Sequence, residues 1–422
     1  MNIPQDGRIV VIDDKESEAI PLLKTLFQNG HPAFYFSEAI ENLPKNPLPG
    51  IRLVFLDIVL GTDGQDSQKR IVTPIAVLQK IIDKHNGPFI LVAWTMHHES
   101  IPELSQALIA LGYQFLLVDL EKSDCKNGDG YSMEIIANKL KEKLDGKDAL
   151  HLFTVWLNLV HQSSGKIVND FSQLYPHDVD WDKNMANVFF HLAVGYAGEK
   201  VDRTNHDDVI RNALFSFNGA FLDSLAAEVR QNKYSDDIKL PFDNVSASLD
   251  AKTMGTMNSK LIVTSQFGSN TMPGNVFETM DIPKPAISEL FNGNFELSEN
   301  KTTLEQSVKN IVLEITPVCD YAQGKQKVIR LLPGVLWPED VSSDKIDKQK
   351  WYIYKSPVIM FQDKFYYMVF DFRYLTSISM EKITGKTPIF TIRQEMLVDI
   401  QAHMASHTSR PGFVSVNKST FS

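Results

Sequence analysis

Short apolar runs alternate with stretches of helical periodicity over the first third of the chain. The apolar runs, at residues 8–14, 33–36, 51–60, 89–95 and 115–120, have the length and composition of buried parallel strands. Residues 16–29, 75–84, 101–111 and 133–144 place apolar side chains at helical spacing. This alternation is typical of a doubly wound open sheet, so we expect a five-stranded α/β domain over residues 1–146.

The pattern changes after residue 147. Residues 150–174, 182–196 and 206–230 have helical periodicity and few glycines, which predicts a helical connector over residues 147–232 and a possible dimerisation surface. The polar stretch 231–257 is the best linker candidate. Runs rich in Val, Ile, Tyr and Phe follow at 261–265, 311–316, 327–332, 351–360 and 364–372, before a last helix at 393–405. We therefore expect an α+β domain rich in strands over residues 256–422.

Composition narrows the class of protein. The 422 residues are 43% hydrophobic and 22% charged, so the chain can bury sizeable cores. Its formal net charge of -10 gives no indication of nucleic-acid binding, which needs clustered Lys and Arg. Two cysteines far apart in sequence, no secretory leader and no long apolar run indicate a cytoplasmic protein without a membrane segment.

Acidic residues stand where the predicted strands end. Asp13 and Asp14 close the first strand, and Asp57 lies near the end of the third. Because the carboxyl ends of parallel strands meet at one edge of the sheet, these carboxylates should converge there. They would repel one another unless a cation joined them, and Mg2+ is the hard divalent ion that suits such oxygen ligands. Such a site suits phosphoryl transfer, with Asp57 as the attacking carboxylate.

The segments Val10-Val11-Ile12-Asp13-Asp14, Leu56-Asp57 and Trp94-Thr95 resemble the receiver domains of response regulators in two-component signalling. The resemblance covers about one third of the chain. It implies a flavodoxin-like fold, Mg2+ held by Asp13, Asp14 and Asp57, and a phosphoryl group accepted on Asp57 from a histidine kinase or another phosphodonor. It also implies that Thr95 and a lysine after the fifth strand bind the phosphoryl group.

Two features depart from the family pattern. The loop after Asp57, through residues 61–66, is longer than usual. Counting from Gly112, the family spacing places the lysine near Val118-Asp119, whereas the nearest lysine is Lys122. Lys122 would have to fold back across the edge of the sheet to reach the site. In the family this lysine links the phosphoryl group to the conformational change, so Asp57 could accept a phosphoryl group even if the conventional switch is absent. The alternatives are a receiver that keeps the fold but serves only as a docking scaffold, and an unrelated α/β fold.

The output of the C-terminal region is open. The expected protein relays phosphorylation to a non-DNA-binding output in a phosphorelay, with no separate catalytic domain identified. The alternative is a hydrolase or nuclease effector controlled by the receiver, for which bacterial defence is one setting. A cleft within 256–422 containing acids, histidines or Cys319 would favour it. The isolated chemical candidates are His97-His98-Glu99, the pair His403 and His407 at the i, i+4 spacing of zinc ligands, and Cys319, which we expect to be buried.

Overall fold

The computed structural model of the chain describes residues 8–61, 71–95, 98–128, 130–198, 201–234, 238–245, 248–265, 269, 271–278, 280–341, 345–346 and 350–409. Two compact units contain these residues. The first comprises the described part of Met1–Met185 and Phe217–Val245, and the second that of Ala186–Ser216 and Ser246–Ser422. The predicted boundaries 1–146, 147–232 and 256–422 stay a prediction.

The first unit is built on a five-stranded parallel sheet. Its strands are β1 (Ile9–Ile12), β2 (Ala33–Phe36), β3 (Leu53–Leu56), β4 (Phe89–Trp94) and β5 (Phe115–Leu120). They are ordered β2-β1-β3-β4-β5, and every neighbouring pair is parallel. This order is that of the flavodoxin-like doubly wound fold. The predicted α/β architecture of this region is confirmed, and each strand lies within its predicted apolar run.

Helices cover both faces of this sheet. They are α1 (Glu16–Gln28), α2 (Val72–Ile81), α3 (Ile101–Ala110) and α4 (Met133–Lys143). One core forms between the sheet and α1 and α4, and the other between the sheet and α2 and α3. Because both faces are buried, β1, β3 and β4 are apolar at every position. The β2–β3 connection contains a 3₁₀ turn, Ile40–Asn42.

A short hairpin separates β5 from α4. After β5 the chain makes a 3₁₀ turn, Ser123–Cys125, and then pairs β6 (Lys126–Asn127) with β7 (Gly130–Tyr131). The Cys125 side chain is fully buried in the core, and the Tyr131 ring lies edge-on to Trp94 with centroids 5.0 Å apart. Thr25 of α1 donates a hydrogen bond to the Tyr131 carbonyl oxygen at 3.0 Å. The hairpin is thereby held against α1, which fixes the direction in which the chain leaves β5.

Three long helices follow, as predicted: α5 (Asp148–Ser172), α6 (Trp181–Ala197) and α7 (His206–Gln231). Several of their large apolar side chains are exposed, among them Phe153, Trp156, Leu214 and Leu222. The predicted dimerisation surface stays a prediction. No helix in the described part of the chain combines the length and hydropathy needed to cross a bilayer.

The second unit contains an antiparallel sheet. Its strands are β8 (Val263–Thr264), β9 (Asn275–Glu278), β10 (Lys309–Glu314), β11 (Ile329–Pro338), β12 (Ile353–Phe361), β13 (Lys364–Asp371), β14 (Thr376–Ile378) and β15 (Phe390–Ile392). The order is β12-β13-β11-β10-β9-β15-β8, and β14 pairs with β11. β11 bonds to β14 at one end and to β13 at the other, so the sheet curls around it. The prediction of a strand-rich α+β region is confirmed, although β9, β14 and β15 were not recognised in the sequence.

Helices complete this unit: α8 (Ala251–Ile262), α9 (Ile287–Leu290), α10 (Lys301–Ser307), α11 (Val318–Ala322) and α12 (Gln394–Thr408). The linker predicted over 231–257 is wrong at its C-terminal end, because α8 begins at Ala251. The same helix extends into the run 261–265, which the sequence predicted to be a strand. Asp250 caps α8 by accepting a hydrogen bond from the Thr253 backbone N–H at 2.9 Å. A Cβ at Gly255 would come within 2.4 Å of the Phe365 ring, so this glycine lets α8 approach the sheet closely.

One face of the sheet carries a buried row of polar side chains. Thr391 donates to the Asn275 side-chain oxygen at 2.7 Å, and Asn275 donates to the Ser269 carbonyl at 2.7 Å. Glu314, on the next strand and fully buried, accepts a hydrogen bond from the Thr316 backbone N–H through Oε1. Its Oε2 has no hydrogen-bond partner among the described residues. Burial raises the pKa of Glu314 to about 7.

The raised pKa makes stability depend on pH. Below the ordinary value of 4.5, Glu314 is protonated in the folded and unfolded states alike, and this contribution to stability is fully present. It is lost as the pH rises through about 7, since the buried carboxyl must then ionise or the chain unfold. We expect the difference in free energy of unfolding between Glu314→Gln and wild type to shift in favour of the variant by about 3 kcal/mol between pH 4 and pH 8. Guanidinium unfolding at both pH values measures it.

Glu278→Gln is the matched control, because Glu278 lies exposed on the neighbouring β9. Its difference from wild type should be the same at both pH values. A Glu314→Gln difference that is equally constant would show that Glu314 ionises freely in the folded protein.

Candidate functional site

Four sequence-predicted residues lie at the carboxyl edge of the parallel sheet. Ile12 pairs with Leu56, so Asp13 and Asp57 follow neighbouring positions on β1 and β3. Leu56 in turn pairs with Ala93, which places Thr95 close beyond the end of β4, with its side chain buried. Asp14 follows Asp13 and accepts a hydrogen bond from the Gly61 N–H at 3.1 Å. The edge of the sheet therefore brings together the acids predicted to meet there.

Lys122 reaches this edge as well. Its Nζ donates hydrogen bonds to Asp13 Oδ2 at 2.7 Å and Asp57 Oδ2 at 2.7 Å. The side chain is only 9% exposed. At the positions where family spacing would put the lysine, Val118 is buried in the core and Asp119 bonds to His98. Lys122 lies two residues beyond the end of β5, where Leu120 pairs with Trp94, so the lysine stands just past the same edge as Thr95.

A third carboxylate, which sequence reasoning missed, also binds Lys122. Glu18 Oε2 accepts a hydrogen bond from Nζ at 2.8 Å, and its side chain is 40% exposed. Glu18 lies one helical turn after Asp14, in the first turn of α1, so helix geometry places it above the same edge. An acid at this spacing from Asp14 was the available signal. Acids in a first helical turn are usually explained by the helix dipole, which hid the second role.

The protonation of these groups follows from burial and from the lysine. Burial raises the pKa of Asp13, although the hydrogen bond from Lys122 opposes this. The hydrogen bond from Lys122 lowers the pKa of Glu18. Burial alone would lower the pKa of Lys122, but attraction to Asp57 and the three hydrogen bonds raise it overall. Lys122 is therefore a cation at any physiological pH.

The acids also have the geometry of a cation site. Asp13, Asp14 and Asp57 each offer one carboxylate oxygen, and these oxygens lie within 4.8 Å of one another. Asp57 Oδ1 accepts a hydrogen bond from the Val59 backbone N–H at 3.1 Å, and Asp57 Oδ2 accepts one from Lys122. Carboxylate oxygens on a partly exposed rim fit Mg2+, which keeps several of its waters. The residues present therefore fit the ion that the sequence predicts.

The other chemical candidates lie apart from this cluster. His98 Nδ1 is 2.7 Å from Asp119 Oδ1 at the end of β5, and both side chains are about 40% exposed. His97 lies outside the described residues. In the described part of the chain, one group of three or more acids, histidines or cysteines is close enough to share a metal ion, and it consists of Asp13, Asp14 and Asp57. His403 and His407 therefore do not form a zinc site with other described residues. Cys319 is exposed, with Sγ 3.8 Å from Asp320 Oδ1, and the expectation of burial was wrong.

Comparison of the chain with protein-family models and with curated proteins finds no match. The flavodoxin-like strand order shows a fold that many unrelated activities share. The function must therefore be argued from the contacts of the site.

Replacing Lys122 tests whether it neutralises this edge. Lys122→Met leaves buried acids without their cation, so we expect a loss of about 3–5 kcal/mol of unfolding free energy at pH 7. The loss should shrink at pH 4, because burial raises the pKa of Asp13 and this carboxyl takes up a proton as the pH falls. Chelator-treated buffers keep divalent ions from replacing the ammonium group, and denaturant unfolding gives the free energies.

Lys139→Met is the control, since Lys139 pairs with Asp124 at 2.8 Å on an exposed surface of the same unit. It should change stability much less, at both pH values. Equal effects of the two substitutions would mean that the Lys122 contacts are no more than surface ion pairs.

Proposed function

We propose that the first unit accepts a phosphoryl group on Asp57 in a Mg2+-dependent reaction, as response-regulator receiver domains do. The observation that carries the proposal is the hydrogen bond of 2.7 Å between Lys122 Nζ and Asp57 Oδ2, with Asp13 on the same ammonium group. The spacing along the sequence argues against this lysine, yet the fold brings it to the predicted acceptor. An acid pair, a third acid, a hydroxyl and a lysine at one sheet edge form the set that the family resemblance requires.

The charges of the site suit a nucleophilic carboxylate. Three carboxylates, from Asp13, Glu18 and Asp57, bind one ammonium group, and a fourth, Asp14, lies beside Asp13 and Asp57, so the edge retains negative charge. Mg2+, held by Asp13, Asp14 and Asp57, would supply neutralisation of the incoming phosphoryl oxygens. Lys122 holds one oxygen of Asp57 and thereby orients the carboxylate. Thr95, at the neighbouring strand end, is placed to donate a hydrogen bond to a phosphoryl oxygen.

The proposed reaction transfers a phosphoryl group from the donor to Asp57 in one displacement step. A carboxylate oxygen of Asp57 attacks the phosphorus of the donor and forms a new P–O bond. The bond from phosphorus to the donor group breaks, and that group leaves with its electron pair. Acetyl phosphate releases acetate, and a kinase phosphohistidine whose second ring nitrogen is protonated releases neutral imidazole. Asp57 is then an acyl phosphate with close to two negative charges, which attracts Lys122 more strongly than the free carboxylate did.

This attraction provides the signal. Lys122 divides its hydrogen bonds among Asp13, Glu18 and Asp57. When the phosphoryl group draws Lys122 toward Asp57, the hydrogen bond to Glu18 is the first to weaken. Glu18 is partly exposed, so water can replace the lost hydrogen bond at the lowest cost in free energy. We propose that this local change, relayed through the connector helices, controls a non-DNA-binding C-terminal output.

Acetyl phosphate tests the acceptor directly. Wild-type protein incubated with acetyl phosphate and Mg2+ should gain the mass of one phosphoryl group, and Asp57→Asn should gain none, because an amide cannot attack. Intact-mass spectrometry measures the gain. Asp119→Asn is the control, since Asp119 lies on the same sheet edge but bonds to His98, and it should still be phosphorylated. If wild type gains no mass while a known receiver domain is phosphorylated in a parallel reaction, the proposal is wrong and the docking scaffold remains as the alternative.

Magnesium should stabilise the first unit whether or not a phosphodonor is present. A cation bound only by the folded state adds about 2.7 kcal/mol when its concentration is hundredfold above the Kd. We therefore expect Mg2+ to raise the Tm of wild type and of Asp119→Asn, but not of Asp14→Asn, which lacks one ligand. Calorimetric scans with Mg2+ and with chelator provide the measurement, and a Tm rise of equal size in Asp14→Asn would place the ion elsewhere.

A further inference from the structure

Helix α5 exposes a band of apolar side chains to solvent. Leu152, Phe153 and Trp156 lie on one side of its first turns and are 42%, 57% and 51% exposed. Leu150 and Val155 lie on other sides of the same turns and are buried. A helix that carries large apolar side chains on more than one side is normally buried on each of them. We call the three exposed residues the α5 band, and their exposure marks an interaction surface.

The sequence of α5 carries a second mark of an interface. No Asp, Glu, Lys or Arg occurs from Ala149 to Gly165, although 22% of the chain is charged. Exposed helices of soluble proteins ordinarily have charged residues on the side that faces water. Depletion of charge together with exposed Phe and Trp is instead the composition of interface cores. The α5 band is therefore suited to contact another protein surface.

We propose that the α5 band is the contact between two copies of this chain, related by a two-fold axis through the band. The formal net charge of each copy is -10, so contacts between other faces tend to place like charges together. The uncharged band meets its own copy without that repulsion, and a two-fold contact requires a surface that complements itself. A partner recognised by opposite charge would need charged groups on the band, and it has none.

The band is held in a fixed position on the first unit. Leu150, in the first turn of α5, belongs to the core between the parallel sheet and helices α1 and α4. Asp148, at the start of α5, accepts a hydrogen bond from the Lys239 backbone N–H at 2.7 Å. A surface fixed in this way loses little conformational freedom when a second copy binds, and this favours association.

The size of the band fits a dimer of modest affinity. A fully enclosed Phe or Trp side chain buries about 150–250 Å², so the exposed parts of Leu152, Phe153 and Trp156 together amount to roughly 250–300 Å² on each copy. A specific interface typically buries about 800 Å² per partner, a little over half of it apolar. The band supplies the larger part of that apolar area, and the half-buried Val160 continues it by one turn. We therefore expect a dissociation constant in the micromolar range.

Sedimentation velocity of the full-length protein, over micromolar to submillimolar concentrations, measures the equilibrium between monomer and dimer. Phe153→Gln and Trp156→Gln should each raise the dissociation constant about tenfold or more, because each substitution removes apolar contact from both copies. Phe27→Gln is the matched control, since Phe27 lies on α1 of the same unit and is 54% exposed, and it should leave the dissociation constant unchanged. Asp57→Asn should dimerise as wild type does, so the test does not depend on phosphorylation.

A charge-pair experiment tests the two-fold contact itself. Residues 152–156 span about 6 Å along the helix axis, so the two Phe153 side chains lie near each other whichever way the second helix runs. Phe153→Glu and Phe153→Lys should each be monomeric alone, because like charges then face each other, and an equimolar mixture of the two should dimerise. Circular dichroism verifies that each variant is folded.

Three results would overturn the proposal. Wild type that stays monomeric throughout the concentration range would mean that another part of the chain, or a different protein, covers the band. Phe153→Gln and Trp156→Gln that dimerise as tightly as Phe27→Gln would place the contact elsewhere. A mixture of the Phe153→Glu and Phe153→Lys proteins that stays monomeric would exclude a two-fold contact through the band.

Discussion

The first unit depends on one buried ammonium group. Lys122 Nζ lies within 2.8 Å of carboxylate oxygens from Asp13, Glu18 and Asp57, and without it these acids would share a largely buried edge with no cation to offset their repulsion. The strands that end at this edge are fixed by cores on both faces, so the acids cannot move apart. Lys122 follows the end of β5 by two residues, and its long side chain reaches the acids from that edge of the sheet.

The same arrangement explains why the site suits a transfer reaction. In the proposed function, the negative edge beside the lysine would hold Mg2+, and the ion would offset the charge of an incoming phosphoryl group. Glu18 is more exposed than Asp13 and Asp57 and binds the same lysine. A change in the balance among these three hydrogen bonds is the local response that the proposed function requires.

The second unit shows a different use of buried polar groups. Thr391, Asn275 and Glu314 form a polar row on the sheet, and the unpartnered oxygen of Glu314 makes this part of the fold sensitive to pH. A cavity of about 750 Å³ between β12 and α12 is lined by acid, histidine and aromatic side chains, among them Asp399, His403 and Tyr354. A cleft with acids and histidines within residues 256–422 is the feature that was expected to favour a hydrolase or nuclease effector over an adaptor.

The sequence alone determined the elements whose hydrophobic pattern is unambiguous. Fully buried parallel strands must be apolar at every position, so β1, β3 and β4 were recognisable, and the acids following them had to meet at one edge because parallel strands end together. The strands β9, β14 and β15 of the antiparallel sheet were not recognised. Each is only three or four residues long, which is too short to show an alternation of apolar and polar residues. Helix α8 was missed because its polar face resembles a linker.

Tertiary structure decided the details on which the chemistry rests. Lys122 joins the site because β5 pairs with β4 as far as Leu120, so the lysine two residues later lies beyond the same edge as Thr95. Counting along the sequence does not show where a strand ends in the sheet. Glu18 joins it because helix α1 rises from the same edge. Hydrophobic pattern sets which residues are buried, whereas the placement of long polar side chains depends on contacts between residues far apart in sequence, and only the folded chain brings those together.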